Sequence, residues 1–129
     1  MQSFHDSATS AAPPEEVWKL LYDPSRFPEW WAGVGTVELR NDGEYTMYPD
    51  GYPDFPMAQL HETRRDEQRV TVSCLVSDLR FEWHLEPSGE GTLIRVDVEI
   101  PDAEAHRLDT QRGLISASMQ QLAQLAANQ

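Results

Sequence analysis

Residues 80–100 read RFEWHLEPSGEGTLIRVDVEI, and they carry the clearest strand pattern in the sequence. Apolar and polar side chains alternate along residues 80–86 and again along residues 92–100, as they do in strands with one buried face. The intervening Ser88-Gly89-Glu90-Gly91 is typical of a tight turn, so the two strands are predicted to be antiparallel neighbours. The predicted buried face of the first strand carries Phe81, Trp83 and Leu85.

The same alternation extends towards the N-terminus and predicts five further strands. They fall at residues 3–10, around Val37 and Leu39, around Tyr45 and Met47, at residues 57–65 and at residues 70–76. Asn41-Asp42-Gly43 is a strong hairpin signal. From residue 34 to residue 100 the connections are too short for parallel crossovers, so we expect antiparallel pairing throughout.

Two short helices and one long helix complete the predicted order. Pro13-Pro14-Glu15-Glu16 is typical of a helix start, because proline suits the first turn and carboxylates favour the positive end of the helix dipole. A second short helix, broken by Pro28, is predicted before the sheet resumes. From Pro101-Asp102 an amphipathic helix of about 24 residues is expected, with Asp102 as a capping side chain. The fold class is therefore α+β, with a curved seven-stranded antiparallel sheet around a long C-terminal helix.

Composition limits the classes of protein that this chain can belong to. Its 129 residues suit one domain, residues 1–129. With 22 acidic and 10 basic residues and a net charge of -12, nucleic acids and anionic membranes are poor partners. No apolar segment approaches the ~20 residues needed to span a bilayer, so we expect no membrane insertion. A lone cysteine, Cys74, excludes an internal disulfide, and a cytoplasmic location is expected.

Two stretches of the sequence carry a resemblance to a known family. Residues 12–24 read APPEEVWKLLYDP and residues 27–31 read FPEWW, while FEWHLEP at residues 81–87 is followed by GEGT at residues 89–92. Together they resemble the START-like or SRPBCC superfamily, specifically its polyketide cyclase/dehydrase and lipid-transport group with the Bet v 1-like helix-grip fold. The resemblance covers nearly the whole chain and implies a cavity between the sheet and the last helix that takes hydrophobic ligands.

A cavity in that position predicts a set of lining residues from the sheet and the last helix. The predicted ligand-binding residues are Trp31, Tyr45, Met47, Leu60, Cys74, Phe81, Trp83, Arg112, Ile115 and Met119. Tyr45, His61 and Arg112 would supply polar groups that orient the ligand.

Several of these residues have a second interpretation. Trp83 suits the core at least as well as a cavity wall, and Cys74 suits an inert core position better than a nucleophile. Of the adjacent Trp30 and Trp31, one is expected in the core and the other near the cavity rim. Arg112 either holds a carboxylate or phenolate or faces solvent, and His61 faces inward or outward according to register.

The sequence leaves three functions open. The first is a carrier or sensor of a polyketide, lipid or aromatic molecule. The second is a polyketide cyclase or dehydratase, with His61 and Arg112 as catalytic candidates. The third is an interaction module of co-chaperone or toxin-like type, which a filled core with an exposed apolar groove would favour.

Other expectations concern metals, assembly and one loop. The four histidines lack compact ligand spacing, so neither a metal nor another cofactor is predicted. A monomer or homodimer is expected. The aromatic loop at residues 49–56 either covers the cavity as a lid, through Tyr52 and Phe55, or packs locally on the surface.

Overall fold

The computed structural model describes residues 1–129 and shows one seven-stranded antiparallel sheet. The strands are β1 (Gln2–Ser10), β2 (Val34–Leu39), β3 (Glu44–Pro49), β4 (Met57–Arg64), β5 (Arg69–Cys74), β6 (Arg80–Ser88) and β7 (Gly91–Ile100). Their order across the sheet is β1-β7-β6-β5-β4-β3-β2, so β1 is the only strand that does not neighbour its successor in sequence. The predicted α+β helix-grip architecture and its antiparallel pairing are confirmed.

Helices cover the concave face of this sheet. The helical segments are α1 (Pro14–Leu21), α2 (Leu108–Ala127) and three short 3-10 helices at Pro24–Glu29, Arg65–Glu67 and Asp102–Arg107. Helix α1 begins with proline and has Glu15 and Glu16 in its first turn, as predicted. It ends just before Pro24, because proline restricts the preceding residue to extended backbone.

The start of the last helix differs from the prediction. Residues Asp102–Arg107 form a separate 3-10 helix, and the non-helical dihedral angles of Glu104 interrupt the chain before α2 begins at Leu108. The Asp102 side chain does not cap a helix and instead accepts a hydrogen bond from the N-terminal ammonium group. The long helix is therefore 20 residues, and a kinked segment lies at one end of the sheet.

The prediction that β5 reaches Val76 is also wrong. The strand ends at Cys74, and Leu75 and Val76 are exposed in the turn that follows. The amide of Leu75 donates to the carbonyl of Ala58, which holds this turn against the start of β4.

An aromatic cluster fills the middle of the concave face. Phe27, Trp30 and Trp31 come from the segment between α1 and β2, and the two tryptophan rings both meet Trp83 of β6 with centroids 5.2 Å apart. Trp30 donates its indole N–H to the carbonyl of Leu20 over 3.0 Å. Burial of a tryptophan side chain such as Trp83 is worth about 4 to 6 kcal/mol as an upper bound. The cluster therefore fixes the helical layer on the sheet and leaves free space only at one end.

A helix that crosses a bilayer needs about 20 predominantly apolar residues. No helix combines the length and the apolar character that a membrane-spanning helix needs.

Candidate functional site

A cavity of about 420 Å³ lies at one end of the sheet, between the concave face and the first turns of α2. At this end β3 and β5 finish and β4 and β6 begin, so four strands contribute side chains to one wall. We refer to this space as the main cavity. Its lining residues are Gly33, Met47, Pro49, Asp50, Tyr52, Met57, Gln59, Cys74, Ser77, Leu79, Phe81, His106, Arg107, Thr110, Gln111 and Leu114.

A smaller space of about 80 Å³, the inner recess, adjoins the main cavity. The two share six lining residues, among them Met47, Phe81 and Leu114. The residues that line only the inner recess are Trp31, Ala32, Val34 and Tyr45. No charged side chain lines the inner recess, so its chemistry is that of aromatic, aliphatic and neutral polar groups.

Three polar side chains cross the sheet in one row beside this space. Tyr45 of β3 lies directly opposite Gln59 of β4, and Gln59 lies directly opposite Cys74 of β5. Tyr45 and Gln59 are each only 3 % exposed. The amide nitrogen of Gln59 lies 3.3 Å from the sulfur of Cys74 and 3.4 Å from the carbonyl oxygen of Met57. We call Tyr45, Gln59 and Cys74 the polar row.

The charged groups of the main cavity are Asp50 and Arg107, which together with His106 belong to the loop after β3 and the kinked segment before α2. Arg107 donates to the carboxylate of Glu104 over 3.1 Å, which partly neutralises it. The main cavity therefore has charged groups on these two segments, while the inner recess has none.

Five of the predicted ligand-binding residues border this space. Met47, Cys74 and Phe81 line the main cavity, and Trp31, Tyr45, Met47 and Phe81 line the inner recess. Of the two adjacent tryptophans, Trp30 is the core residue and Trp31 the wall of the recess.

Four others lie away from it. Leu60 neighbours Gln59 in the same strand and therefore projects from the opposite face of the sheet. Trp83 is fully buried beneath Trp30 and Trp31, which makes it a core residue. Ile115 and Met119 are also buried in the core, one and five residues beyond Leu114, the last residue of α2 that lines the cavity.

Arg112 lies on the exposed side of α2, and its guanidinium carbon is 5.3 Å from the centre of the Phe4 ring. This geometry is a cation–π contact with the edge strand β1. Of the two alternatives for Arg112, the structure supports the solvent-facing one, and the residue does not border the cavity.

His61 points inward but does not border the cavity either. Its Nε2 lies 3.1 Å from the carbonyl oxygen of Leu21, at the end of α1, and its ring meets Phe27 edge-on. Desolvation lowers the pKa of His61, although the hydrogen bond to Leu21 and the charge of Asp23 oppose this shift. A neutral imidazole that donates from Nε2 suits this position, and neither of the two catalytic candidates borders the cavity.

The sequence interpretation missed most of the wall that comes from turns and segment ends. Met57 and Gln59 had a usable signal, because they alternate with the inward-facing His61 along β4. Leu114 also lay on the predicted apolar stripe of the last helix. Among the other missed positions, Ser77 and Leu79 depend on where β5 ends, and His106 and Arg107 on the kink before α2, which no local pattern indicated.

The aromatic loop after β3 contributes one of its two rings. Tyr52 borders the main cavity although it is 66 % exposed, whereas Phe55 is 56 % exposed and does not border it. Both interpretations of residues 49–56, as a lid or as a surface loop, agree with these positions.

Metal ions in proteins are bound mainly by acidic, histidine and cysteine side chains that lie close together. No group of three or more of them is placed to hold a metal ion.

The sheet, the overlying C-terminal helix and the apolar cavity between them define a helix-grip protein with the architecture of a hydrophobic-ligand-binding fold. Residues 1–128 match the family described as polyketide cyclase / dehydrase and lipid transport. The chain therefore belongs to that family, and the START-like resemblance is confirmed.

Solved structures agree with this fold at low sequence identity. The protein XoxI from Bacillus cereus is 18 % identical with a TM-score of 0.79, over 97 % of this chain and 95 % of that chain. The di-domain ARO/CYC BexL from the BE-7585A biosynthetic pathway is 14 % identical with a TM-score of 0.78, over 96 % of this chain and 46 % of BexL. Ara h 8.0201 is 13 % identical with a TM-score of 0.71, over 99 % of both chains. No curated protein matches the sequence.

Proposed function

We propose that this protein binds one hydrophobic small molecule between its sheet and helix α2, as a carrier or sensor. The observation that carries the proposal is the main cavity of about 420 Å³, which lies within the size range of small-molecule sites. Its apolar wall consists of Met47, Met57, Leu79, Phe81 and Leu114. Family membership supports the same role, since the family description includes lipid transport.

The two alternative functions have less support. In the cyclase or dehydratase hypothesis, His61 and Arg112 would move protons on the substrate, and neither of them borders the cavity. An interaction module would be favoured by a filled core, whereas this core leaves a cavity. We therefore propose binding and assign no catalytic residue.

Thermal unfolding with a panel of fatty acids, polycyclic aromatics and polyketide-like aromatics tests the proposal. A ligand at about 100 times its dissociation constant adds about 2.7 kcal/mol to the free energy of unfolding. We expect at least one panel member to raise the unfolding temperature of the wild-type protein in a saturable manner.

A variant that fills the cavity connects this shift to the site. Leu114→Trp places a larger ring at a position that borders both spaces, so the ligand-induced shift should disappear. Ser116→Trp, which adds the same ring at an exposed position of the same helix, should keep the shift. A panel without any effect on the wild-type protein, or a shift retained in Leu114→Trp, would contradict the proposal.

A further inference from the structure

Tyr45 and Gln59 of the polar row border the inner recess, whose other lining side chains are apolar except for Gln111. A tyrosine and a glutamine at 3 % exposure are costly to bury unless their polar atoms form hydrogen bonds. At these positions of β3 and β4 an apolar pair would pack without this cost. The donors and acceptors of Tyr45 and Gln59 that the protein leaves unused therefore indicate what the row can bind.

The protein itself uses only part of the hydrogen-bonding capacity of the row. The Gln59 amide nitrogen faces Cys74 Sγ and the Met57 carbonyl oxygen, and only an NH₂ group can donate to that carbonyl. Gln59 Oε1 and the Tyr45 hydroxyl form no hydrogen bond with another protein group. Among the side-chain nitrogen and oxygen atoms, only Trp83 Nε1 is both fully enclosed and without a hydrogen-bond partner. The two free groups of the row are therefore not fully enclosed by protein atoms.

The surroundings of the row select for uncharged groups. No charged side chain borders the inner recess, and the charged groups of the main cavity, Asp50 and Arg107, line only that cavity. Desolvation raises the pKa of Tyr45 far above its usual value, so its hydroxyl remains protonated and able to donate at neutral pH. A carboxylate placed there would lose its hydration without gaining a cation.

The walls beside the row favour a flat ring. Trp31 and Phe81 both border the recess, and their rings meet at 83° with centroids 5.0 Å apart. A flat aromatic molecule can contact such walls by stacking on one ring and meeting the other edge-on. The recess and main cavity together have room for more than one ring.

We propose that Tyr45 and Gln59 bind the hydroxyl group of an uncharged aromatic molecule whose ring lies against Trp31 and Phe81. The ligand hydroxyl donates to Gln59 Oε1 and accepts from the Tyr45 hydroxyl, which satisfies both free groups of the row. This assignment rests on the proposed function, because it specifies the ligand class for the inner end of the same cavity.

Three naphthalene derivatives test the assignment by titration calorimetry. In the wild-type protein, 2-naphthol should bind about tenfold more tightly than naphthalene, and 2-naphthoate should bind most weakly.

Tyr45→Phe and Gln59→Met should each reduce the affinity for 2-naphthol about fivefold to tenfold, the loss expected for one neutral hydrogen bond. Their affinity for naphthalene should stay within about twofold, which also shows that the cavity is intact. Tyr48→Phe, at the next tyrosine along β3, which lines neither space, should change neither value.

The outcomes separate this inference from the proposed function. Equal affinities for 2-naphthol and naphthalene, unchanged in both variants, would overturn the assignment and leave the binding function intact. The same conclusion would follow if fatty acids from the first panel bound and no naphthalene derivative did. If no compound of either panel bound, both proposals would fail.

Discussion

His61 connects the inner face of β4 to the end of helix α1 through one hydrogen bond to the Leu21 carbonyl. The imidazole lies against Phe27 and Tyr45, so its charged form would have little solvation. Its pKa is lowered chiefly by desolvation. The residue is thus a structural contact whose strength depends on its protonation state.

The pH dependence of stability follows from that shift. Because the folded-state pKa lies below the ordinary value of about 6.5, the unfolded chain takes up a proton first as the pH falls. The stability contributed by neutral His61 is complete above the unfolded-state pKa and is lost as the pH falls through the folded-state pKa. Between pH 7.5 and pH 5.5, urea unfolding should therefore show a larger loss of stability in the wild-type protein than in His61→Gln.

Glutamine is the matched replacement because its amide can donate to the Leu21 carbonyl and does not titrate. His5→Gln, at an exposed position of β1, separates burial from the general effect of removing a histidine. Parallel pH profiles for wild type and His61→Gln would contradict the predicted role of burial.

Helix α2 changes its role along its length. Its first two turns supply Thr110, Gln111 and Leu114 to the cavity, whereas its second half is buried core. Ser118 lies at the boundary and is fully buried. Its hydroxyl donates to the Leu114 carbonyl over 2.7 Å and accepts the Ala32 amide over 2.8 Å. This pair of hydrogen bonds ties the chain before β2 to the helix beside the recess.

Ser118→Ala should therefore destabilise the protein by about 1 to 3 kcal/mol, because the part-buried Ala32 amide loses its partner. Urea unfolding measures this change directly. Ser116→Ala, an exposed position on the same helix, should stay within about 0.5 kcal/mol of the wild type. Equal effects of the two substitutions would show that the Ala32 contact adds nothing.

The whole molecule has one connected core. A cluster of 27 buried apolar residues draws on α1, the segment at Pro24–Glu29, the sheet and α2. All four tryptophans, Trp18, Trp30, Trp31 and Trp83, are buried in it. No element has a separate core that would allow it to unfold independently.

We therefore expect residues 1–129 to unfold as a single cooperative unit, as predicted for one domain. Tryptophan fluorescence and far-ultraviolet circular dichroism should follow coincident transitions in urea, because the same core supports the rings and the backbone. Two separated transitions would contradict this expectation and indicate independently folding parts.

The order of the elements and the antiparallel pairing of the sheet follow from local sequence patterns alone. Alternation along residues 80–100 and the turn at residues 88–91 are local properties, since the period of side-chain direction and the conformational demands of glycine act within a few residues. For the same reason the inward faces of β5 and β6, with Cys74 and Phe81, were predictable.

The position of the cavity, in contrast, depends on how the helices pack on the sheet in three dimensions. The rings of Phe27, Trp30 and Trp31 occupy the middle of the concave face, so Trp83, Ile115 and Met119 became core residues. The kink before α2 and the early end of β5 then shaped the main cavity, with Tyr45 and Gln59 brought together by cross-strand register. Such positions depend on how distant side chains fill a shared volume, and no local pattern encodes that filling.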